Sequence, residues 1–260
     1  ILAAAGVPDI FLAYPCVGPN IERVLHFQQA FPHSHLSIAA DDPRPLQLLA
    51  EKANACHQEV EVVLDLDVGQ HRTGVPLGDK ASELYRWIQR TKGLVAGGLH
   101  AYDGHNHQTD LVVRRQAVEG FYREVATFAD ALEQQGLPVP RIIAGGTGSF
   151  PILAAIDDSR LEASPGTTVL HDIGYQTTFP DLDFIPAAAV LTRVISCPSA
   201  NRLTCDVGYK AIASDPPLER RLRSASLPDA RLIMHNEEHL VLETPEANRY
   251  QPGDTLLAFP

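Results

Sequence analysis

Along the first two thirds of the chain, apolar and polar residues follow two alternating periods. Short, nearly continuous apolar runs recur as IFLAYP (10–15), HLSIAA (35–40), VEVVLDLD (60–67), LVAGGLHAY (94–102) and RIIAGG (141–146), the pattern of strands buried on both faces. Between them, apolar residues fall at helical spacing: Ile21, Val24, Leu25 and Phe27, then Leu46, Leu48 and Leu49, then Leu84, Trp87 and Ile88. The longest such segment carries Val118, Phe121, Tyr122, Val125, Phe128 and Leu132 and is closed by Gly136 and Pro138. TTVLHD (167–172) reads as a sixth strand. Strands separated by helices predict a parallel sheet with right-handed crossovers, either an open doubly wound sheet or a closed barrel.

After Phe179 the texture changes. AAAVLTRVIS (187–196), RLTCDVGYKA (202–211), RLIMHNEEHLVLE (231–243) and DTLLAF (254–259) are strand-like, with Pro- and Gly-containing turns and no comparable helices between them. This predicts a second, mainly antiparallel domain, with the boundary between residues 177 and 185. The expected fold is α/β: a (β/α)8 TIM-like barrel over residues 1–180, incomplete at its N-terminus, then a β-domain over 181–260, truncated at its C-terminus. Residues 1–5 read as the tail of a helix already under way, the only methionine is Met234, and the chain stops at Pro260 just after a strand-like run.

Composition narrows the partners. The net charge is −11, from 21 basic and 32 acidic side chains, which argues against nucleic acid and anionic membrane surfaces. No apolar run approaches the ~20 residues of a membrane span, and the N-terminus lacks the basic region and cleavage pattern of a secretion signal. Cys16, Cys56, Cys197 and Cys205 show no CxxC pair, so buried free thiols in a reducing compartment, the cytoplasm, are expected.

Polar and glycine residues gather where the strands end, the face on which active sites of such folds sit. AGGTGS (144–149) runs from a strand into a glycine turn whose N–H groups, with the hydroxyls of Thr147 and Ser149, suit a phosphate. SPGTT (164–168) offers a second such turn. In DVGQHRTGV (67–75), Arg72 lies just past a strand end; it either pairs with Asp65 or Asp67 or holds an anionic oxygen of a ligand. GLHAYDGHNH (98–107) offers His100, His105 and His107 beside Tyr102, yet no fourth zinc ligand has recognisable spacing. HNEEHL (235–240) has the wrong order, and strand-like surroundings, for the zinc-protease helix motif. Lys210, in CDVGYKAIASD (205–215), reads as a solvent-facing lysine.

In that order, DVGQHRTGV, GLHAYDGH, AGGTGS, SPGTTVLHD, CDVGYKAIASD and HNEEHL resemble the D-threonine aldolase and D-serine dehydratase family, pyridoxal-phosphate enzymes with an alanine-racemase-type barrel and a β-domain. The resemblance covers nearly the whole chain. It implies that Arg72 approaches the cofactor's phenolic oxygen and that Tyr102 lies against the pyridine ring. Thr147, Gly166 and Thr167 are then phosphate donors, and Gly145 and Gly146 permit the close approach. It also implies a Schiff-base lysine, expected upstream of Ile1, and a His-x-Cys or His-x-Asp metal pair, expected downstream of Pro260. The full-length protein is expected to use pyridoxal 5′-phosphate and a divalent metal, zinc or manganese; these 260 residues alone are expected to be inactive.

The implied reaction is a lyase reaction on a D-β-hydroxy amino acid, with aldolase and dehydratase both open. His105, His171 and His239 are candidate bases, with no choice made among them. Competing readings are an amino-acid racemase, a non-catalytic pyridoxal-phosphate-binding protein, against which the β-domain counts, and a phosphosugar barrel enzyme. The expected partner is a small D-amino acid, with no nucleic acid or membrane, and the resemblance suggests a homodimer.

Overall fold

Each of the five apolar runs of the first 150 residues contains a strand paired in parallel with its neighbours. In the computed structural model, which describes residues 1–260, the order is β1 (Asp9–Leu12), α1 (Pro19–Ala30), β2 (His35–Ala40), α2 (Pro43–Ala55), β3 (Val60–Asp67), a two-residue β4 (Val75–Pro76), α3 (Asp79–Arg90), β5 (Leu94–Ala101), α4 (Leu111–Gln134), β6 (Ile142–Ala144), a short α5 (Phe150–Leu153) and β7 (Leu161–Ala163). The sheet order is β1-β2-β3-β5-β6-β7, with β4 pairing on β3. A doubly wound sheet reverses its order at a switch point, whereas the wall of a barrel follows the chain. The uninterrupted order therefore makes this sheet an arc of a TIM-like barrel.

Local chemistry explains where the helices begin. Asp42 accepts the Arg44 N–H at 2.8 Å ahead of Pro43, and Asp110 accepts the N–H groups of Val112 and Val113 at 2.8 and 3.0 Å. Both are N-cap carboxylates, and Pro43 stands at the first helical position, where its missing N–H costs nothing. Alternation along β3 then divides the chemistry between two faces. Val60, Val62, Leu64 and Leu66 join Leu49, Leu84, Ile88, Val118 and Val125 of the helices in one apolar core. Of the alternate residues, Glu61, Asp65 and Asp67 are acidic and Val63 is apolar. Near the N-terminal ends of the strands, the Arg141 guanidinium ties the polar positions together, reaching Asp9 at 3.2 Å, Ser37 at 2.7 Å and Glu61 at 2.5 Å.

The sixth parallel strand is not where the sequence places it. Thr167–Val169 is a 3-10 turn, and the strand paired to β6 is Leu161–Ala163. Apolar character misleads here because Val169 and Leu170 are exposed, and the His171 N–H turns back to the Thr167 carbonyl at 2.6 Å.

The chain divides into two compact units, Ile1–Pro165 and Gly166–Pro260. The second contains α6 (Ile173–Thr178), β8 (Val190–Ser199), β9 (Arg202–Cys205), β10 (Arg223–Ser224), β11 (Arg231–His235), β12 (Leu240–Glu243) and β13 (Thr255–Phe259). Its sheet order is β10-β13-β8-β9-β12-β11, every pair antiparallel, over a core that includes Val194, Leu203, Leu240, Leu242 and Leu256. Two expected strands are shorter or divided. The run 202–211 stops pairing at Cys205, because the Asp206 carboxylate takes the Arg193 N–H (2.8 Å) and the Thr192 hydroxyl (2.7 Å). The run 231–243 is a hairpin, closed where Asn236 N–H donates to the His239 carbonyl at 2.8 Å. All four cysteines are free thiols, but only Cys16 and Cys205 are buried; Cys56 and Cys197 are exposed.

Candidate functional site

The C-terminal ends of β3, β5 and β6 carry the chemistry of the first unit. At the end of β3, one Asp67 oxygen accepts the N–H groups of Gly69 and His71 at 3.0 Å each, and the other meets His71 Nδ1 at 2.7 Å. Burial by itself would raise this carboxyl, but the hydrogen bonds from His71 and Gly69 outweigh it and hold it at about 2. Gly74 returns the loop to the strand at φ +99°, where a Cβ would stand 2.5 Å from the Asp67 nitrogen; its own N–H donates to Asp41 at 2.8 Å. Only glycine fits so close a return.

This loop sets the Arg72 guanidinium over the Tyr102 ring, 4.7 Å from its centroid, at cation–π distance. Arg72 pairs with neither carboxylate considered for it: Asp67 binds His71, and Asp65 binds His100 at 2.6 Å within the sheet. Tyr102 also borders two glycines. A Cβ on Gly104 would strike its ring, and a Cβ on Gly146 would sit 3.1 Å from its Cε2. Arg72, Tyr102 and Gly146 are thus brought together at adjacent strand ends.

The Gly145–Ser149 turn is shaped from within. Gly145 adopts φ +84°, its N–H donates to the Ala101 carbonyl at 2.9 Å, and the space of a Cβ is already filled by Leu153 and the Ser149 Oγ. The Ser149 hydroxyl donates to Asp103 Oδ1 at 2.8 Å and accepts the Gly146 N–H at 3.0 Å. It is therefore engaged inside the protein rather than offered to a phosphate, contrary to the sequence expectation. Thr147 is buried beside it, 2% exposed.

Gly166 and Thr167 belong to the second unit, where the 3-10 turn leaves Gly166 exposed and Thr167 half-buried. His171 follows that turn. It is 1% exposed, adopts φ +47°, packs its ring 5.4 Å from Phe184, and neither ring nitrogen has a hydrogen-bond partner. The histidines around Tyr102 are dispersed. His100 lies against Phe11 and Asp65, the His105 ring lies at Gly69, and no group of three or more His, Cys, Asp or Glu side chains forms a metal cluster in residues 1–260. Lys210, more than half exposed, pairs with Glu237 and Glu238 at 2.8 and 3.0 Å, as its solvent-facing reading requires.

Sequence reasoning passed over the Asp65–His100 pair and the Asp103–Ser149 link. The first had a signal, a carboxylate at an alternate position of a largely buried strand. The second had none, since its partners are 46 residues apart.

Comparison with known proteins bears on the family and the fold. The D-threonine aldolase of Arthrobacter sp. is 27% identical over 218 residues, 82% of this chain and 57% of the relative. The D-serine dehydratase of Dictyostelium discoideum is 24% identical over 254 residues, 91% of this chain and 62% of the relative. The chain therefore spans about 60% of the length of these relatives. Among solved structures, the D-threonine aldolase from Filomicrobium marinum superposes with a TM-score of 0.90 at 24% identity, covering 100% of this chain and 69% of that one, which shows the fold. Residues 187–260 match the model described as "Putative serine dehydratase domain". Residues 23–169, more than half of the chain, match the alanine racemase N-terminal domain, and the chain belongs to that family.

Proposed function

We propose that the protein is a pyridoxal 5′-phosphate-dependent lyase acting on D-β-hydroxy amino acids, of the D-threonine aldolase or D-serine dehydratase type. The observation that carries this reading is the meeting of Arg72, Tyr102 and Gly146 at neighbouring strand ends. A cation, a flat ring and a backbone without Cβ are the three surfaces that a phenolate-bearing, planar, phosphorylated ligand needs. The fit is supported by the Gly146 cradle, where a Cβ would crowd the Tyr102 ring at 3.1 Å.

In this reading Arg72 neutralises the phenolic oxygen of the cofactor and Tyr102 lies against its pyridine ring. Thr147 holds the phosphate, while Gly145 and Gly146 allow the backbone to approach. Bound there, the cofactor supplies an electron sink for the bond broken at the substrate Cα. The loop organised by Asp67 keeps Arg72 in place, so the chain's own contribution is orientation and charge neutralisation. A divalent metal, zinc or manganese, belongs to the same reading of the full-length protein, but no cluster in this chain fits one and none of its residues is assigned to it. The catalytic base is unassigned. A homodimer in the cytoplasm completes the proposal; no helix is long and apolar enough to cross a membrane.

The test is an assay of the full-length protein with D-threonine and D-serine, with and without a chelator. Acetaldehyde from the first or pyruvate from the second supports the lyase and names the bond cleaved. If neither substrate yields product in the presence of pyridoxal phosphate and metal, the reading fails.

A further inference from the structure

One cluster at the site remains without a role: a buried carboxylate packed against the glycine turn. Asp103 is 3% exposed, and its hydrogen-bond partners Asn106 and Ser149 are 7% and 2% exposed. One Asp103 oxygen accepts Asn106 Nδ2 at 2.9 Å and the other accepts the Ser149 hydroxyl at 2.8 Å. An ionised carboxylate only accepts, so it dictates the direction of the next bond. The Ser149 hydroxyl lies closer to Asp103, at 2.8 Å, than to the Gly146 carbonyl, at 3.3 Å, and with its proton on Asp103 its Oγ turns its lone pairs to the Gly146 N–H at 3.0 Å. The chain of contacts runs from the residue after Tyr102, on the β5 end, to the glycine that faces the Tyr102 ring, on the β6 end.

We propose that Asp103 is a positioning residue: through Ser149 it orients Gly146 and sets the spacing between the glycine turn and the Tyr102 ring, and so determines selectivity for a phosphorylated over an unphosphorylated ligand. The phosphate part rests on the functional reading above. A carboxylate beside a phosphate turn also repels the anion, so position and charge predict opposite signs for its removal. Position dominates here because both carboxylate oxygens are hydrogen-bonded and the group is buried against its donors rather than aimed at solvent.

The experiment compares dissociation constants of pyridoxal 5′-phosphate and of pyridoxal for the full-length wild type, Asp103→Asn, Ser149→Ala and Ser149→Thr, by fluorescence titration. Asp103→Asn and Ser149→Ala weaken pyridoxal phosphate by about tenfold, the equivalent of one buried hydrogen bond, and leave pyridoxal nearly unchanged. Ser149→Thr, which keeps the hydroxyl, restores the ratio. Equal losses for both ligands, no loss, or tighter phosphate binding in Asp103→Asn overturns the proposal. A wild type that binds both ligands equally refutes the phosphate reading itself. The link is then judged on ligand-free protein by hydrogen exchange at the Gly146 amide: faster exchange in Asp103→Asn at unchanged melting temperature supports it, and unchanged exchange overturns it.

Discussion

Asp65 and His100 stand opposite one another in the β3–β5 register, and their side chains meet at 2.6 Å, Oδ1 to Nδ1, within the sheet. Only 9% of the His100 side chain and 6% of the Asp65 side chain is exposed, and the imidazole edge lies 5.1 Å from the Phe11 ring. The three residues tie β1, β3 and β5 together below the strand ends that carry Arg72 and Tyr102.

Breaking such a pair from one side leaves a buried group without its partner. Asp65→Ala is expected to destabilise the protein by about 3 kcal/mol. In a double-mutant cycle with His100→Ala, read by urea unfolding, the two changes are expected to be strongly non-additive. Additive losses would show that the pair is not coupled.

Arg72 touches the Tyr102 ring and makes no ion pair with Asp65 or Asp67, so its removal separates binding from stability. Arg72→Ala is expected to cost no more than about 1 kcal/mol in unfolding. The same variant weakens pyridoxal phosphate by at least about tenfold. An unchanged dissociation constant would remove Arg72 from the site.

Two carboxyls give the stability a dependence on acid. Asp158 is held at about 2, first by its hydrogen bond from the Arg160 side chain, and Asp67 at about 2 by its bonds from His71 and Gly69. Both stand below the ordinary carboxylate value near 3.8, so the unfolded chain binds protons first as the pH falls. Their contribution is complete above about pH 5 and is lost between about pH 4 and 2. Unfolding midpoints measured across that window should fall steeply, and less steeply in Asp158→Asn; identical slopes would contradict the assignment.

Gly145 and Gly253 distinguish strain from crowding. Both have positive φ, +84° and +105°, but a Cβ on Gly253 meets nothing within 4 Å, whereas at Gly145 it meets Leu153 and Ser149 Oγ. Gly253→Ala is expected to cost about 1 kcal/mol from backbone conformation alone. Gly145→Ala is expected to cost about 2 kcal/mol more, because the overpacked turn has to shift. Thermal melts of the two variants report the difference, and equal melting temperatures would refute the crowding.

Most of the architecture was legible in the pattern. The runs at 35–40 and 60–67 are strands over their full length, and helical spacing located α1 to α4. Where the pattern failed, an apolar run carried no ladder. Val169 and Leu170 sit in a 3-10 turn, and the short β7, which carries Glu162, gave too few residues for alternation to register. The ordered motifs likewise pointed to Arg72, Tyr102 and the glycine turns, because those residues lie near strand ends and the chemistry of a strand end is local.

What the sequence determined by itself was therefore local: which segments are strands or helices, and which polar residues follow each strand. Hydrophobic period and capping depend on neighbours only a few positions away. Tertiary structure alone decided that the strands run in barrel order and that Arg72 lies on Tyr102 rather than on a carboxylate. It also decided that the Ser149 hydroxyl turns inward to Asp103. Each of those outcomes is a contact between residues far apart along the chain, set by sheet register and by which partner a buried donor can reach.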